Sequence, residues 1–359
     1  MKFKNHLIVV AMLGGFFLTA NATFAQGSLT PPGGPAPTMK TADQIEPRTI
    51  VNAANTPGDT TNSFIISKSG SYYLTTNILG TTGKSGIEIT TNDVTLDLNG
   101  FTLQGVAGSV NGVNFIGDTS FLGFTTSYAR TNITVRNGII RNWGGDGIHS
   151  SSYSGQNFLL EQLKVCFNST GALINGSGVA RDCFFANNSD VGLNFNNALI
   201  SNCTVNNNGS YAVFANNSTI SGCFVQNNGS GISANGGIVS GCLVQNNTNT
   251  GIYAGSGTDV INNTCRGNNS LNGAGAGGIL ISGDAVRSTR VEDNLVTANG
   301  SHGILVDNTF GSKVIVIKNS VSGNGASNYV VPSGNVLGPI ANDSTGAITN
   351  TSPWGNFSF

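Results

Sequence analysis

Ile200-Ser-Asn-Cys203-Thr-Val205-Asn-Asn-Asn208 returns as Ile220-Ser-Gly-Cys223-Phe-Val225-Gln-Asn-Asn228, and again as Val239-Ser-Gly-Cys242-Leu-Val244-Gln-Asn-Asn247. The period is 20 and then 19 residues (223 − 203 and 242 − 223). A unit this short cannot bury its own apolar side, so it must stack on copies of itself as a solenoid. Outward from these copies, the fourth position of the frame reads Asn99, Asn137, Leu163, Cys183, Cys203, Cys223, Cys242, Asn263, Asn294 and Asn319. Five residues beyond each stand Gln104, Asn142, Asn168, Asn188, Asn208, Asn228, Asn247, Asn268, Asn299 and Asn324. A Gly-apolar pair accompanies most coils, as in Gly86-Ile87, Gly112-Val113, Gly147-Ile148, Gly192-Leu193, Gly231-Ile232, Gly251-Ile252, Gly278-Ile279 and Gly303-Ile304. Each coil therefore reads as a Gly-apolar-x-apolar strand, a loop, and two short strands bent at the ladder residue.

The residue choice is that of strands. Runs between turn clusters are short, rich in Val and Ile, and alternate apolar with polar. Asn and Gly recur at the bends because they tolerate left-handed backbone, and stacked Asn side chains can pass hydrogen bonds from coil to coil. The predicted core includes Ile200, Val205, Ile220, Val225, Ile232, Val239, Val244 and Ile252. The Leu-x-x-Leu-x-Leu frame of leucine-rich repeats is missing.

These residues resemble the right-handed parallel β-helix, or pectate-lyase-like, superfamily over about Ser63 to Val336. The resemblance implies an all-β, single-stranded right-handed solenoid of roughly eleven coils. Gln44-Ile-Glu-Pro-Arg48, Gly70-Ser-Tyr-Tyr-Leu74, Val94-Thr-Leu-Asp-Leu-Asn-Gly-Phe101 and the terminal Pro353-Trp-Gly-Asn-Phe357 are similar to a group of secreted bacterial β-helix proteins. That resemblance supplies an architecture and no chemistry, since the superfamily includes lyases, hydrolases, epimerases, tailspikes and adhesins.

Lys2 and Lys4 precede an apolar stretch from Leu7 to Leu18, followed by Ala20, Ala22 and Ala25. This predicts a bacterial-type secretory signal peptide over 1–25, and hence a secreted or periplasmic protein with no transmembrane anchor in the mature chain. A Pro/Gly linker and N-terminal cap are expected over 26–62, the β-helix over 63–336, and a C-terminal cap or tail over 337–359.

With 16 basic against 17 acidic residues and only 9% charged, no basic stripe exists and nucleic acid is not an expected partner. Asn, Ser, Thr and Gly must dominate the surface, which suits contact with sugars. Three His give no clustered metal-ligand set, so neither metal nor cofactor is expected. Cys183, Cys203, Cys223 and Cys242 take the place of Asn in the frame, and in-register stacking favours buried thiols over disulfides.

Motifs of known superfamily enzymes are absent. Ser301-His302-Gly303 has no accompanying Asp pair, Ile317-Lys318 lacks a preceding Arg, and no Asp-Pro-His-Asp occurs. Strand alternation gives a better lead, because the residue after the buried aliphatic of each Gly-apolar strand points outward. The resulting column is Glu88, Asn114, His149, Leu173, Asn194, Phe214, Ser233, Tyr253, Leu280 and Leu305. Between its second and third coils the spacing rises to 35 residues (147 − 112), where Gly117 to Thr131 inserts Phe121, Phe124 and Tyr128. Two functions follow. One is a non-catalytic surface or carbohydrate-binding solenoid, with Phe214 and Tyr253 as sugar-stacking platforms and Asn114 and the inserted aromatics lining a ligand site. The other is a polysaccharide lyase or glycoside hydrolase with Glu88, Arg141, Asp146 and His149 beside a cleft.

Overall fold

The computed structural model describes residues 46–115, 117–121, 124–128, 130–270, 273, 275–282, 287–307, 313–342 and 351–359. Residues 1–45, where a signal peptide and the first part of a linker are expected, lie outside them. From Arg48 onward the chain is a right-handed parallel β-helix of about eleven coils. A middle coil shows the plan: Leu193–Phe195 lies on a first face, Ala198–Ser201 on a second and Thr204–Asn206 on a third. Each strand pairs in parallel with its equivalent one coil on, as in Leu193↔Val213, Ile200↔Ile220 and Val205↔Val225.

In this coil two residues of the first strand, two of the second and one of the third fill the interior: Leu193 and Phe195, Ala198 and Ile200, and Val205. The eight predicted core residues, Ile200 to Ile252, are each at most 1% exposed. The doubled Asn of the repeat divides its labour. Asn187, Asn207 and Asn227 hold φ of 54°, 54° and 55°, turning the corner in a conformation that β-branched residues avoid. The next residue points inward and forms the ladder. In Asn168, Asn188, Asn208, Asn228, Asn247, Asn268 and Asn299, the backbone N–H and the side-chain Nδ2 both donate to Oδ1 of the Asn one coil on. A second ladder runs through Asn263, Asn294, Asn319 and Asn356 in the same way. Asn356 explains the terminal Pro-Trp-Gly-Asn-Phe motif: it closes that ladder while Phe357 and Ser358 pair with Ser320 and Val321.

The first coils depart from the expected frame by one residue or more. Arg141 pairs with Cys166 and with Gln104, so Gln104 and Asn142 stand short of the ladder place. Trp143 takes that place, and its backbone N–H donates to Asn168 Oδ1 at 3.0 Å. Asn99 and Asn137 likewise serve as left-handed corners, with φ of 53° and 56°. The reason is volume. Trp143 is fully buried under Gly80, Gly86 and Gly112, where any Cβ would stand 2.7, 2.9 and 3.0 Å from the indole. Asp97 of the Val94–Phe101 motif collects Arg48, Arg136, Asn137 and its own turn N–H of Asn99, tying three segments together.

Cys183, Cys203, Cys223 and Cys242 stack in one buried column, and all six cysteines are thiols. Each of the four sulfurs donates to the carbonyl two residues back, Arg181, Ser201, Ser221 and Ser240 respectively. Neighbouring thiols and burial hold Cys203 and Cys242 well above the ordinary thiol range. The segments expected to cap the ends carry short strands: Thr49–Ile50 pairs with Tyr72 and Tyr73, and Ile340–Asn342 with Asn356–Ser358.

Candidate functional site

The Gly-apolar strands form the first face, and their pairing fixes the outward column coil by coil. Glu88 is opposite Asn114, Asn114 opposite His149, His149 opposite Leu173, and Leu173 opposite Asn194. The column continues through Phe214, Ser233, Tyr253, Leu280 and Leu305. Its inward neighbours Ile87, Val113 and Ile148 are buried, which locks the alternation and hence the direction of each polar side chain.

In the first coils the polar members of this column are bonded. Asn114 Nδ2 donates to Glu88 Oε2 at 2.5 Å, and Glu88 is only 5% exposed. The Asn114 carbonyl oxygen is buried and finds no partner among the described residues. One coil on, His149 Nδ1 lies 2.5 Å from Asp146 Oδ2, both side chains being partly exposed. An ionised carboxylate can only accept, so Nδ1 carries the proton and Nε2 of a neutral ring keeps a free lone pair. Asp146 is placed by the previous coil, where Asn111 Oδ1 accepts its backbone N–H at 2.9 Å. This arrangement can take and return a proton at His149 beside a buried carboxylate two strand spacings away, about 10 Å.

Arg141 does not join this group. It ends a third-face strand, where its Nη2 donates to Gln104 Oε1 at 2.7 Å on the exposed surface. The inserted segment is not an irregular loop but an antiparallel hairpin, Gly117–Phe121 with Phe124–Tyr128, whose second strand lies against the long strand Ile148–Cys166. The side chains of Phe121, Phe124 and Tyr128 lie outside the described residues. Phe214 and Tyr253 stand two coils apart on the first face, half-buried, with Phe214 edge-on to Tyr211 at 5.8 Å. Sequence alone missed the Asp146–His149 bond, although an Asp three residues before a strand His was a visible signal.

Among the described residues no group of three His, Cys, Asp or Glu could hold a metal, and no helix is long and apolar enough to cross a membrane. A family model described as a right-handed β-helix region matches residues 168–326. No curated protein matches the sequence. Among solved structures, the chain is similar to the A-module of mannuronan C-5 epimerase AlgE6 from Azotobacter vinelandii. Identity is 18%, with 78% of this chain and 84% of that one covered and a TM-score of 0.54. It is also similar to the A-module of AlgE4 from the same organism, at 13% identity over 75% and 91% of the two chains, with a TM-score of 0.54. At these identities the likeness is one of fold.

Proposed function

We propose, starting from a chain that is a right-handed parallel β-helix repeat protein, that it is exported and binds an extended polysaccharide lengthwise along the first face. One observation carries the reading: the in-register outward column sets Asn114, His149, Asn194, Phe214, Ser233 and Tyr253 in a single line parallel to the helix axis. Amide, hydroxyl and imidazole groups match sugar hydroxyls, while Phe214 and Tyr253 offer apolar ring faces. The hairpin at 117–128 would wall the end of this line that carries Glu88 and His149. The action of the AlgE6 and AlgE4 modules on mannuronan lends support to a glycan on such a face and none to a particular mechanism. Export rests on the Lys-flanked apolar segment and small residues at 2–25.

The Asp146–His149 bond favours a second reading, in which His149 Nε2 acts as base or acid on the bound glycan, with Glu88 as the other titrating group. The two readings separate in one experiment. The mature protein is exposed to neutral and uronic polysaccharides, and both bound fraction and new reducing or unsaturated ends are measured. Deleting 117–128 is expected to weaken binding, whereas His149→Ala leaves it nearly unchanged. Loss of product on Asp146→Asn and His149→Ala would establish the acid/base reading. Binding and turnover that survive hairpin deletion and the Glu88→Ala/His149→Ala pair would remove this site altogether.

A further inference from the structure

The third face carries a surface that the first-face reading does not use. Its strands contribute only three residues each, and the middle one is buried: Phe185, Val205, Val225, Val244, Cys265 and Val296 in successive coils. The flanking residues of each strand then face outward, apart from Ala186, which is buried. The strand pairing stacks them in two parallel lanes. One lane is Phe184, Thr204, Phe224, Leu243, Thr264 and Leu295. The lane beside it is Asn206, Gln226, Gln245, Arg266 and Thr297.

The two lanes differ in chemistry. The first is apolar apart from Thr204 and Thr264, with rings at Phe184 and Phe224 on alternate coils, half-exposed, and Leu295 43% exposed. The second is a row of hydrogen-bonding groups already aligned with one another. Gln245 Nε2 donates to Gln226 Oε1 at 3.0 Å, and Arg266 Nε donates to Gln245 Oε1 at 2.7 Å. Asn206 Oδ1, next in line, finds no partner among the described residues. From Phe184 to Gln245 neither lane contains a charge, and a cation bounds each end, Lys164 one coil before Phe184 and Arg266 one coil after Gln245.

We infer that this pair of lanes is a second glycan-binding track, for an extended neutral polysaccharide of the two-fold, β-1,4-linked ribbon type. Such a ribbon turns the same ring face downward at every second sugar, and Phe184 and Phe224 are two strand spacings apart, about 10 Å. Sugar ring faces lie over Phe184 and Phe224, with hydroxyl edges toward Asn206, Gln226 and Gln245. The stretch from Phe184 to Gln245 offers rings and amides and no charge, which favours a neutral glycan there over the uronic polymers still open for the first face. The rings are held by in-register strands and lose little freedom on binding, which favours a rigid, extended partner.

The test is an adsorption isotherm of the full mature protein on insoluble β-1,4-linked glucan, mannan and chitin, with sedimentation velocity at the same concentrations. Phe184→Ala/Phe224→Ala is expected to lower the partition constant on at least one of these by about tenfold or more. Phe184→Tyr/Phe224→Tyr should restore it, and Gln226→Ala/Gln245→Ala should weaken it less. An unchanged melting temperature in the glutamine variant guards against a folding artefact. Hairpin deletion and His149→Ala should leave this adsorption intact, so failure of the first-face site and failure of the track are distinguishable. Two results overturn the track. One is adsorption insensitive to both the phenylalanine and the glutamine pairs. The other is a wild-type dimer that the phenylalanine pair converts to monomer with no glycan bound, which would make the face an interface between copies of the chain.

Discussion

The coils from Gly171 to Asn268 and the coils from Ser85 to Cys166 are built on one plan, yet they solve the corner differently. In the middle coils a left-handed Asn, or Gly267, is followed by a ladder Asn, and every ladder amide finds the next one. In the early coils the ladder place goes to Trp143, the coil lengthens, and a hairpin leaves the stack between the Asn114 and His149 strands. A repeated hydrogen-bond chain tolerates no interruption inside itself. The candidate-site residues Glu88, Asn114, Asp146 and His149 all precede the first ladder residue, Asn168.

The contrast can be broken most severely at its boundary. Trp143→Ala removes the largest buried side chain and opens a cavity against three glycines that cannot fill it, so a loss of about 4 kcal/mol is expected in urea unfolding. A loss under about 1 kcal/mol would show that the early coils relax around the hole. Within the regular region, Asn228→Ala strips both donors of Asn208 of their acceptor and removes the Nδ2 bond from Asn228 to Asn247, while the backbone N–H at 228 keeps its own. A cost of about 3 kcal/mol is expected from buried amides left unsatisfied. Asn142→Ala sharpens the comparison. That residue is a left-handed corner outside the ladder, and its loss should cost only about 1 kcal/mol. Equal melting-temperature shifts for the two alanines would mean that the ladder adds nothing beyond the turn.

The thiol column tests whether a ladder needs amides at all. Titration of denatured, unreduced protein should find at least four free thiols, and the folded protein should react slowly because burial shields its core sulfurs from reagent. Two or fewer would show that the column is bridged. The smallest effect lies at the far end. Arg290 and Lys318 hold the Glu292 carboxyl below its usual value near 4.5. A depressed folded pKa stabilises the protein above the unfolded value, and that contribution fades as pH falls through the folded one. Glu292→Gln should therefore shallow the stability loss below about pH 4.5 and change little at neutral pH; an unaltered acid limb would show that the pairing contributes nothing.

The repeat frame was legible because each coil places a buried aliphatic, a left-handed corner and a ladder residue at fixed offsets, and the outward column follows from strand alternation alone. Where coil length varies, the same offsets mislead. Gln104 and Asn142 match the ladder by counting, yet they miss it because the frame had no way to register Trp143 as a ladder residue. Arg141 was grouped with His149 by sequence nearness, although a coil's three strands face three directions. The Asp146–His149 spacing was visible in the sequence, but the bond itself depends on side-chain rotamers and on Asn111 from the previous coil, which holds the Asp146 backbone. Sequence by itself determined the solenoid, its core and which residues share a face, since all three follow from local periodicity. Only the tertiary structure decided which of those residues touch, because contact between coils depends on the register that each irregular connection imposes on the next strand.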